Sequence, residues 1–246
     1  MDRLVVRDMR KSFGAVTVLR GVDFEARAGE VTALLGDNGA GKSTLIKCIA
    51  GTHVPDGGTI TLDGVEQHYK TPSDATAAGI ETIYQDLALC NNLDVVSNLF
   101  LGRERVAGGL LDESTMESTA RAALDQLKII IPSVRVLVAD LSGGQRQSIA
   151  VAKAVLWAPK LVILDEPTAA LGVAQQKQVL ELISRLREKG LAVVVITHNM
   201  VDVFTVADEA IVMRLGRRVA KLRISEVTPD DVVGAITGAR EFAAAS

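Results

Sequence analysis

The stretch VTALLGDNGAGKSTLIKCIAG, residues 31–51, decides the fold class of this chain. It opens with VTALL, a nearly continuous apolar run of the kind found in strands that are buried on both faces. It continues with GDNGAGKST, in which Gly36, Gly41, Lys42 and Ser43 fit the spacing G-x-x-x-x-G-K-[ST] of a phosphate-binding loop. A helical pattern follows and ends at a glycine, as a C-cap requires. The stretch therefore predicts a strand, a phosphate loop and a helix.

Each part of this loop has a physical reason. The glycines let successive backbone N–H groups face one point, and the helix that begins there adds its positive end. Lys42 would reach the β- and γ-phosphates of ATP, and the Ser43 hydroxyl would bind Mg²⁺. The alternative is a glycine-rich turn with an exposed lysine, and the strand–loop–helix context disfavours it. The predicted nucleotide contacts are Gly36, Asp37, Asn38, Gly39, Ala40, Gly41, Lys42, Ser43 and Thr44.

Outside this stretch, buried strands alternate with helical patterns. LVILD at 161–165 and LAVVVIT at 191–197 have the same solid apolar character as VTALL, which predicts a parallel sheet covered by helices. The first third alternates apolar and charged residues, as in GVDFEARAGE, and GGTITLDG ends on an Asp-Gly turn. Residues from about 86 to 140 show helical patterns without a strong strand. We expect a single α/β domain over 1–246 with a mostly parallel core sheet, an N-terminal antiparallel β subdomain and a helical insertion.

Composition excludes several function classes. The 246 residues carry a formal net charge of -3 and only 3% aromatic residues, which disfavours nucleic-acid binding. The two cysteines, Cys48 and Cys90, are expected to be free thiols of a reducing compartment rather than a disulfide or a metal site. No secretory signal is visible at the N-terminus, and the apolar runs are far shorter than the roughly 20 residues of a membrane span. The chain is expected to be soluble.

Acidic and polar residues follow the buried strands. Asp165 and Glu166 come at the end of LVILD, where ligands bind in open α/β sheets. Asp165 would be a Mg²⁺ partner and Glu166 would polarise water; without the phosphate loop, the pair is equally explained as a solvated strand end. His198 also follows a strand. Taken alone, His198, Gln85 and Phe13 have ordinary structural explanations.

The sequence LSGGQ, residues 141–145, begins another helical pattern. Ser142 is a good N-cap, and the glycines leave the first backbone N–H groups bare, so this helix start can bind an anion. The five residues lie far from the phosphate loop in the chain, and spacing alone does not place them relative to it.

Together these motifs resemble the ATP-binding cassette (ABC) ATPases, which are P-loop NTPases, over nearly the whole chain. The resemblance identifies GDNGAGKST as Walker A, Gln85 as the Q-loop glutamine, LSGGQ as the signature, LVILDE as Walker B and His198 as the switch histidine, in the family's order. Phe13 falls where the family keeps an aromatic residue that stacks on adenine. The resemblance implies that two copies pack head to tail, with LSGGQ of one capping the γ-phosphate held by Walker A of the other.

The same resemblance implies the site roles. Glu166 would be the general base, and His198 would contact the γ-phosphate. Gln85 would touch Mg²⁺ or water and sense the transporter, and Lys42 would neutralise phosphate charge. The residues implied to act on the partner's ATP are Ser142, Gly143, Gly144 and Gln145. One departure is clear: where the family has the aspartate of S-A-L-D, this chain has Gly172, which supplies no carboxylate, so coupling between the two sites would run through backbone contacts or be weaker.

EPTAALGVAQ, YQDLALCNNLDVVSNLFLGRE and AITGA further resemble ATPase subunits of bacterial ribose-, xylose- and fructose-type importers. The resemblance implies a homodimer on the cytoplasmic face of the cell membrane, peripheral to a permease and served indirectly by a sugar-binding protein. The alternative is a soluble ABC ATPase of the iron–sulfur assembly type. A DNA- or ribosome-acting ABC protein is disfavoured, because it would need a second cassette or a coiled-coil insertion and this sequence shows neither. The transported sugar is not specified by this sequence.

Overall fold

A computed structural model describes residues 2–240 and 242 of the chain. The strands are β1 Asp2–Phe13, β2 Val16–Arg27, β3 Val31–Leu35, β4 Gly57–Leu62, β5 Val65–Gln67, β6 Ile80–Ile83, β7 Val106–Ala107, β8 Leu110–Leu111, β9 Leu161–Asp165, β10 Ala192–Ile196, β11 Glu209–Arg214 and β12 Arg217–Arg223. The α-helices are α1 Lys42–Ile49, α2 Pro72–Ala78, α3 Val95–Phe100, α4 Glu113–Gln126, α5 Gly143–Val155, α6 Val173–Glu188, α7 Met200–Val206 and α8 Pro229–Thr237. Short 3₁₀ turns occupy Val138–Asp140 and Ile224–Glu226.

The central sheet has six strands in the order β12-β11-β3-β10-β9-β6. Its strands are parallel, except for β12, which pairs antiparallel with β11. Every residue of β3 and β10 is buried, which explains their solid apolar runs. In the register, Ile196 of β10 pairs with Leu34 on one side and Asp165 on the other. The predicted parallel core is confirmed, and the carboxyl ends of these strands lie at one edge.

The second sheet is antiparallel, with the order β2-β1-β4-β5, as the N-terminal patterns predict. Val22, Phe24 and Ala26 of β2 face the core and are fully buried. The β4–β5 turn falls on Asp63 and Gly64, whose φ angles of 50° and 78° suit the tight hairpin turn that an Asp-Gly pair favours.

Three apolar clusters hold these layers together. One joins the N-terminal sheet to α1 and to one face of the central sheet. A second joins α3 and α4 to α5, α6 and the strands β9 and β10, so the helices from 95 to 126 share a core with the sheet. The third packs α7 and α8 against β11 and β12. Phosphate loop and signature helix are therefore fixed to the same sheet from different sides.

The region from 86 to 140 differs in one detail from its prediction. It contains α3 and α4, and also a small hairpin of two-residue strands, β7 and β8. Gly108 and Gly109 form its turn with φ angles of 60° and 85°, a conformation that glycine adopts at little cost. The strands are too short to give an alternating pattern. The buried amide of Asn98 bonds the backbone N–H and carbonyl of Cys90, which fixes the loop before α3.

The two cysteines do not pair with each other in the structure. Cys48 is buried, Cys90 is partly buried, and both are free thiols. Within residues 2–240 and 242, no helix has the length and apolar character needed to cross a bilayer.

An ion cluster around Glu25 fastens the two sheets to each other. Glu25 lies in β2 of the N-terminal sheet and is only 7% exposed. Its carboxylate accepts hydrogen bonds from Arg7 and, at 2.6 Å and 3.4 Å, from Lys221 and Arg218 of β12 in the central sheet. Burial alone would raise its pKa, but the bonds from Lys221 and Arg7 outweigh burial and lower the pKa of Glu25 to about 2.

This cluster predicts a pH-dependent contribution to stability. Because the folded pKa of about 2 lies below that of an unfolded glutamate, the ionised Glu25 stabilises the fold above about pH 4.5 and loses this effect as the pH falls toward 2. Glu25→Gln should lower the free energy of unfolding at pH 7 by about 1–3 kcal/mol. Urea unfolding of both proteins from pH 7 to 3 measures the difference, which should shrink at the acid end. The exposed Glu188→Gln is the control; a difference that is constant with pH would contradict this role.

Candidate functional site

The phosphate loop joins β3 to α1, and the side chain of Lys42 folds back onto it. The Lys42 ammonium donates hydrogen bonds to the carbonyl oxygens of Gly36 at 2.5 Å and Asp37 at 3.1 Å. Gly41 forms the N-cap of α1 with a φ angle of 101°, in the left-handed region that glycine tolerates best. The loop therefore presents a lysine and a helix N-terminus at one point, as its motif predicts.

Gly36 is required by a close backbone approach. Its φ angle is 144°, and a Cβ atom there would lie 2.2 Å from the carbonyl oxygen of Met213 in β11. The turn between β11 and β12 also supports the loop, since the N–H of Gly216 donates to the carbonyl of Ala40 at 3.1 Å. The phosphate loop is thus supported by a strand pair from the far end of the chain.

The carboxylates of Asp165 and Glu166 lie at the same sheet edge, at the end of β9, and β10 separates them from the strand that leads into the loop. The ring nitrogen Nδ1 of His198 lies 2.9 Å from Oε1 of Glu166, within hydrogen-bond distance. Glu166 has a φ angle of 49°, unusual for a residue with a side chain, and its N–H donates to the carbonyl of Ile196 at 2.8 Å. The end of β9 is therefore tied directly to the end of β10. Strained backbone of this kind is concentrated at functional sites.

The pKa values of two residues at this sheet edge are shifted from their ordinary values. Burial raises the pKa of Asp165, and the charge of Glu166 adds to this effect, while Lys42 opposes it. Burial lowers the pKa of Lys42, against the opposing charges of Glu166, Asp37 and Asp165. Perturbed acids and bases in one cleft are a mark of functional sites. The structure brings Lys42, Asp165, Glu166 and His198 close together, and their roles stay a prediction.

Gln85 follows β6 and is exposed. It lines a cleft of about 360 Å³ together with Glu166 and with Gly143 at the start of α5. Leu87 and Leu89 form an apolar part of this cleft. Gln85 thus lies on the same side of the sheet as Glu166, and the cleft between them continues toward the signature helix.

The signature helix begins as predicted. Ser142 is the N-cap of α5: its hydroxyl accepts from the N–H of Gln145 at 3.2 Å, and Oε1 of Gln145 accepts from the N–H of Ser142 at 3.0 Å. The Gln145 amide also donates to the carbonyl of Ile130 at 3.3 Å. These hydrogen bonds all stay within residues 130–145. Ser142 is exposed, and none of its hydrogen bonds in the described ranges reaches the phosphate loop of the same chain.

The two signature glycines have a packing role that the motif does not reveal. A Cβ atom on Gly144 would lie 2.9 Å from Cβ of Gln175, and one on Gly143 would lie 3.1 Å from Cδ2 of Leu171. The start of α5 therefore sits directly on the start of α6. Gly172 is the N-cap of α6, with φ −70° and ψ 159°, and space is open around its Cα.

Phe13 lies at the end of β1 and is 45% exposed. Its ring meets the His53 ring edge-on, with centroids 5.2 Å apart, and the Lys11 ammonium lies 5.6 Å from its centroid. An exposed aromatic face next to cationic and aromatic neighbours suits stacking of a planar base.

Oxygen donors suited to Mg²⁺ are present near the loop. The Ser43 hydroxyl is exposed at the start of α1, and the Asp165 carboxylate ends β9. Within the residues that the structure describes, no group of three His, Cys, Asp or Glu side chains is arranged to hold a metal by itself. This donor set fits Mg²⁺, which commonly takes one or two protein ligands and completes its shell with phosphate oxygens and water.

Sequence reasoning missed a buried polar group behind this edge. Thr168, Asn199 and Asp202 bond to one another through their side chains, with the Asp202 carboxylate accepting from the other two. The available signal was Asp202 itself, an acidic residue three positions after a helix N-cap, Asn199. Its contact with Thr168 across the sheet edge gives no sequence signal.

Comparison with known proteins identifies the family of this chain. The ABC transporter family matches residues 19–169. The chain is 46% identical to the Xylose/arabinose import ATP-binding protein XylG of Sulfolobus acidocaldarius, over 96% of this chain and 94% of that one. It is also 46% identical to the Fructose import ATP-binding protein FrcA of Rhizobium meliloti, over 97% of this chain and 95% of that one.

Among solved structures, the ADP conformation of MJ1267, an ATP-binding cassette of an ABC transporter, superposes with a TM-score of 0.82. It is 27% identical and covers 97% of this chain and 99% of its own. The predicted resemblance and fold class are thereby confirmed, and the chain belongs to the ABC transporter family as one of its ATP-binding ATPase subunits.

Proposed function

We propose that this chain binds and hydrolyses ATP to power a bacterial ABC importer for a monosaccharide, acting as one ABC domain with a helical subdomain at about 86–140. The observation that carries the proposal is the sheet edge where the Glu166–His198 pair lies beside Lys42 and the phosphate loop. Two relatives of nearly equal length, named for xylose/arabinose and for fructose import, support the class of substrate.

In the proposed reaction, the phosphate loop and Lys42 bind the β- and γ-phosphates and neutralise their charge. Ser43 and Asp165, with Gln85 nearby, would hold Mg²⁺, and the bound ion would supply further positive charge to the phosphates. Glu166 accepts a proton from the attacking water, and its contact with His198 fixes the direction of its carboxylate. The exposed His198 ring is free to meet the γ-phosphate. Phe13 stacks on the adenine base.

The signature acts on ATP bound to a second copy. Ser142 is exposed at a helix N-terminus, and its hydrogen bonds stay within its own segment. A phosphate brought by another molecule would meet the hydroxyl and the first N–H groups of α5. Gly143, Gly144 and Gln145 complete this surface. ATP would then link two copies head to tail more strongly than ADP does, and that difference drives the cycle.

The cleft at Gln85 is the proposed contact with the permease. Its apolar lining by Leu87 and Leu89 lies beside Glu166, so a membrane subunit docked there would be sensed close to the reacting phosphate. A sugar-binding protein would act on the permease from the other side of the membrane. The chain would work as a peripheral subunit on the cytoplasmic face.

The alternative, a soluble ATPase of the iron–sulfur assembly type, is not favoured. The relatives that match over nearly the whole chain are named for sugar import. Co-purification separates the two functions, since import requires recovery with a membrane permease. Recovery with soluble scaffold proteins alone would contradict import.

Glu166→Gln should stop turnover without preventing ATP binding, because the amide cannot accept the proton of the attacking water. We expect the rate of ATP hydrolysis to fall by about a hundredfold or more, while ATP accumulates in a stable dimer. Phosphate release and gel filtration with ATP and Mg²⁺ measure both effects. The exposed Glu226→Gln is the control, and steady-state hydrolysis near that of the unchanged protein would refute the role of Glu166.

Ser142→Arg should leave ATP binding to the monomer intact and abolish the ATP-dependent dimer, since a bulky side chain would fill the helix start that meets the partner's phosphate. Loss of the N-cap also lowers stability by about 1 kcal/mol, so thermal unfolding is measured alongside. The control is Ser118→Arg on the exposed side of α4. Unchanged dimerisation in analytical ultracentrifugation would argue against action on a second copy.

Gly172→Asp should stabilise the chain relative to Gly172→Ala by about 0.5–2 kcal/mol, because an aspartate caps α6 and an alanine does not. Space around Gly172 accepts either side chain. Chemical denaturation of the two variants gives the difference. Equal stability would show that the backbone at 172 does not act as a helix cap in solution.

A further inference from the structure

Asp202 is a charged side chain with an unusual environment. It is 2% exposed, although aspartate rarely lies fully inside a protein. One carboxylate oxygen accepts from the hydroxyl of Thr168, which is 3% exposed, and the other accepts from the amide of Asn199 at 3.1 Å. Burying such a group is costly unless its hydrogen bonds are made.

These two partners come from different loops, and each loop carries a residue of the proposed reaction. Thr168 lies two residues after Glu166, in a tight turn closed by the N–H of Ala169 on the carbonyl of Glu166 at 3.1 Å. Asn199 directly follows His198. Asp202 therefore bridges the loop after β9 to the loop after β10.

The backbone N–H of Glu166 donates to the carbonyl of Ile196 at 2.8 Å, but this bond does not fix the His198 side chain. The His198 side chain is 82% exposed, so packing does not fix its ring. Glu166 has a left-handed backbone with a φ angle of 49°, which persists only where surrounding contacts impose it. Their 2.9 Å contact therefore depends on how the two loops are set relative to each other.

We infer that Asp202 is a positioning residue for ATP hydrolysis: by bonding Thr168 and Asn199 at once, it keeps the Glu166–His198 pair in hydrogen-bond contact. It does not touch the nucleotide. This inference rests on the proposed function, because it assigns a task to a group behind the proposed reaction centre. A displacement of about 1 Å between groups of a reaction site can cost a hundredfold in rate.

Thr168→Val tests this assignment with little change of shape, since it removes only the hydroxyl that donates to Asp202. We expect kcat to fall tenfold to a hundredfold, while the Kd for ATP and the ATP-dependent dimer stay within about twofold. Thr168→Ser keeps the donor and should return kcat to within about threefold of the unchanged protein. Asp202→Ala, under conditions in which it is folded, should likewise lower kcat and leave the Kd for ATP unchanged.

The matched control is Thr82→Val in β6, whose buried hydroxyl has no hydrogen-bond partner in the described part of the chain. It should leave kcat unchanged. A purely structural role for Thr168 predicts instead a lower Tm with normal kcat below that temperature, and this result would overturn the inference. So would a failure of Thr168→Ser to restore the rate.

Two further measurements separate this inference from the proposed function. If the unchanged full-length chain, reconstituted with its permease, does not hydrolyse ATP, the proposed function itself fails. If it does, Thr168→Val is added to a chain that carries both Glu166→Gln and His198→Ala. Because the hydroxyl is inferred to act only through Glu166 and His198, the triple variant should hydrolyse ATP no more slowly than that double variant. A further tenfold loss would show that Thr168 acts by another route.

Discussion

The parallel pairing of β10 with its two neighbours is the constraint on which the site depends. Ile196 pairs with Leu34 at the start of the phosphate loop and with Asp165 at the end of β9, so three strands end together. Parallel strands present all their carboxyl ends at one edge, and this edge receives the phosphate loop, both acids and His198. A slip of one residue would turn every side chain of the slipped strand to its opposite face. Every residue of β3 and β10 is buried, so such a slip would be costly. Burial therefore fixes which residues lie at the sheet edge.

Much of this arrangement was predictable from the sequence, because its determinants are local. The apolar runs of β3, β9 and β10 are shorter than most helices, which favours buried strands, and the spacing of glycine, lysine and serine predicts the phosphate loop. The N-cap of α5 follows from Ser142 and from Gln145 three residues later. The hairpin at 106–111 was not predictable, since two-residue strands carry no periodicity. Nor was the bond between Thr168 and Asp202, 34 positions apart, since side-chain contacts across a sheet edge leave no mark on local pattern.

The signature sequence has two explanations that act on the same residues. Its hydroxyl and bare N–H groups suit a phosphate, as the motif predicts. The structure adds that Gly143 and Gly144 are small because Leu171 and Gln175 press against them within the same chain. An alanine at position 144 would collide with the Cβ of Gln175 at 2.9 Å and push α5 away from α6. Small residues are thus needed to seat this helix start, whether or not a partner's phosphate lies in front of it.

The packing of α5 on α6 also affects how two nucleotide sites would communicate without an aspartate at position 172. The loop from Glu166 to Gly172 begins at the proposed general base and ends at the N-cap of α6, on which the signature rests. Leu171 touches the signature, and Thr168 is held by Asp202. In the proposed dimer, a partner's γ-phosphate that pulls on α5 therefore pulls on a short, hydrogen-bonded loop whose other end is Glu166. Mechanical coupling through this loop needs no carboxylate at 172, because packing and backbone hydrogen bonds connect the two ends.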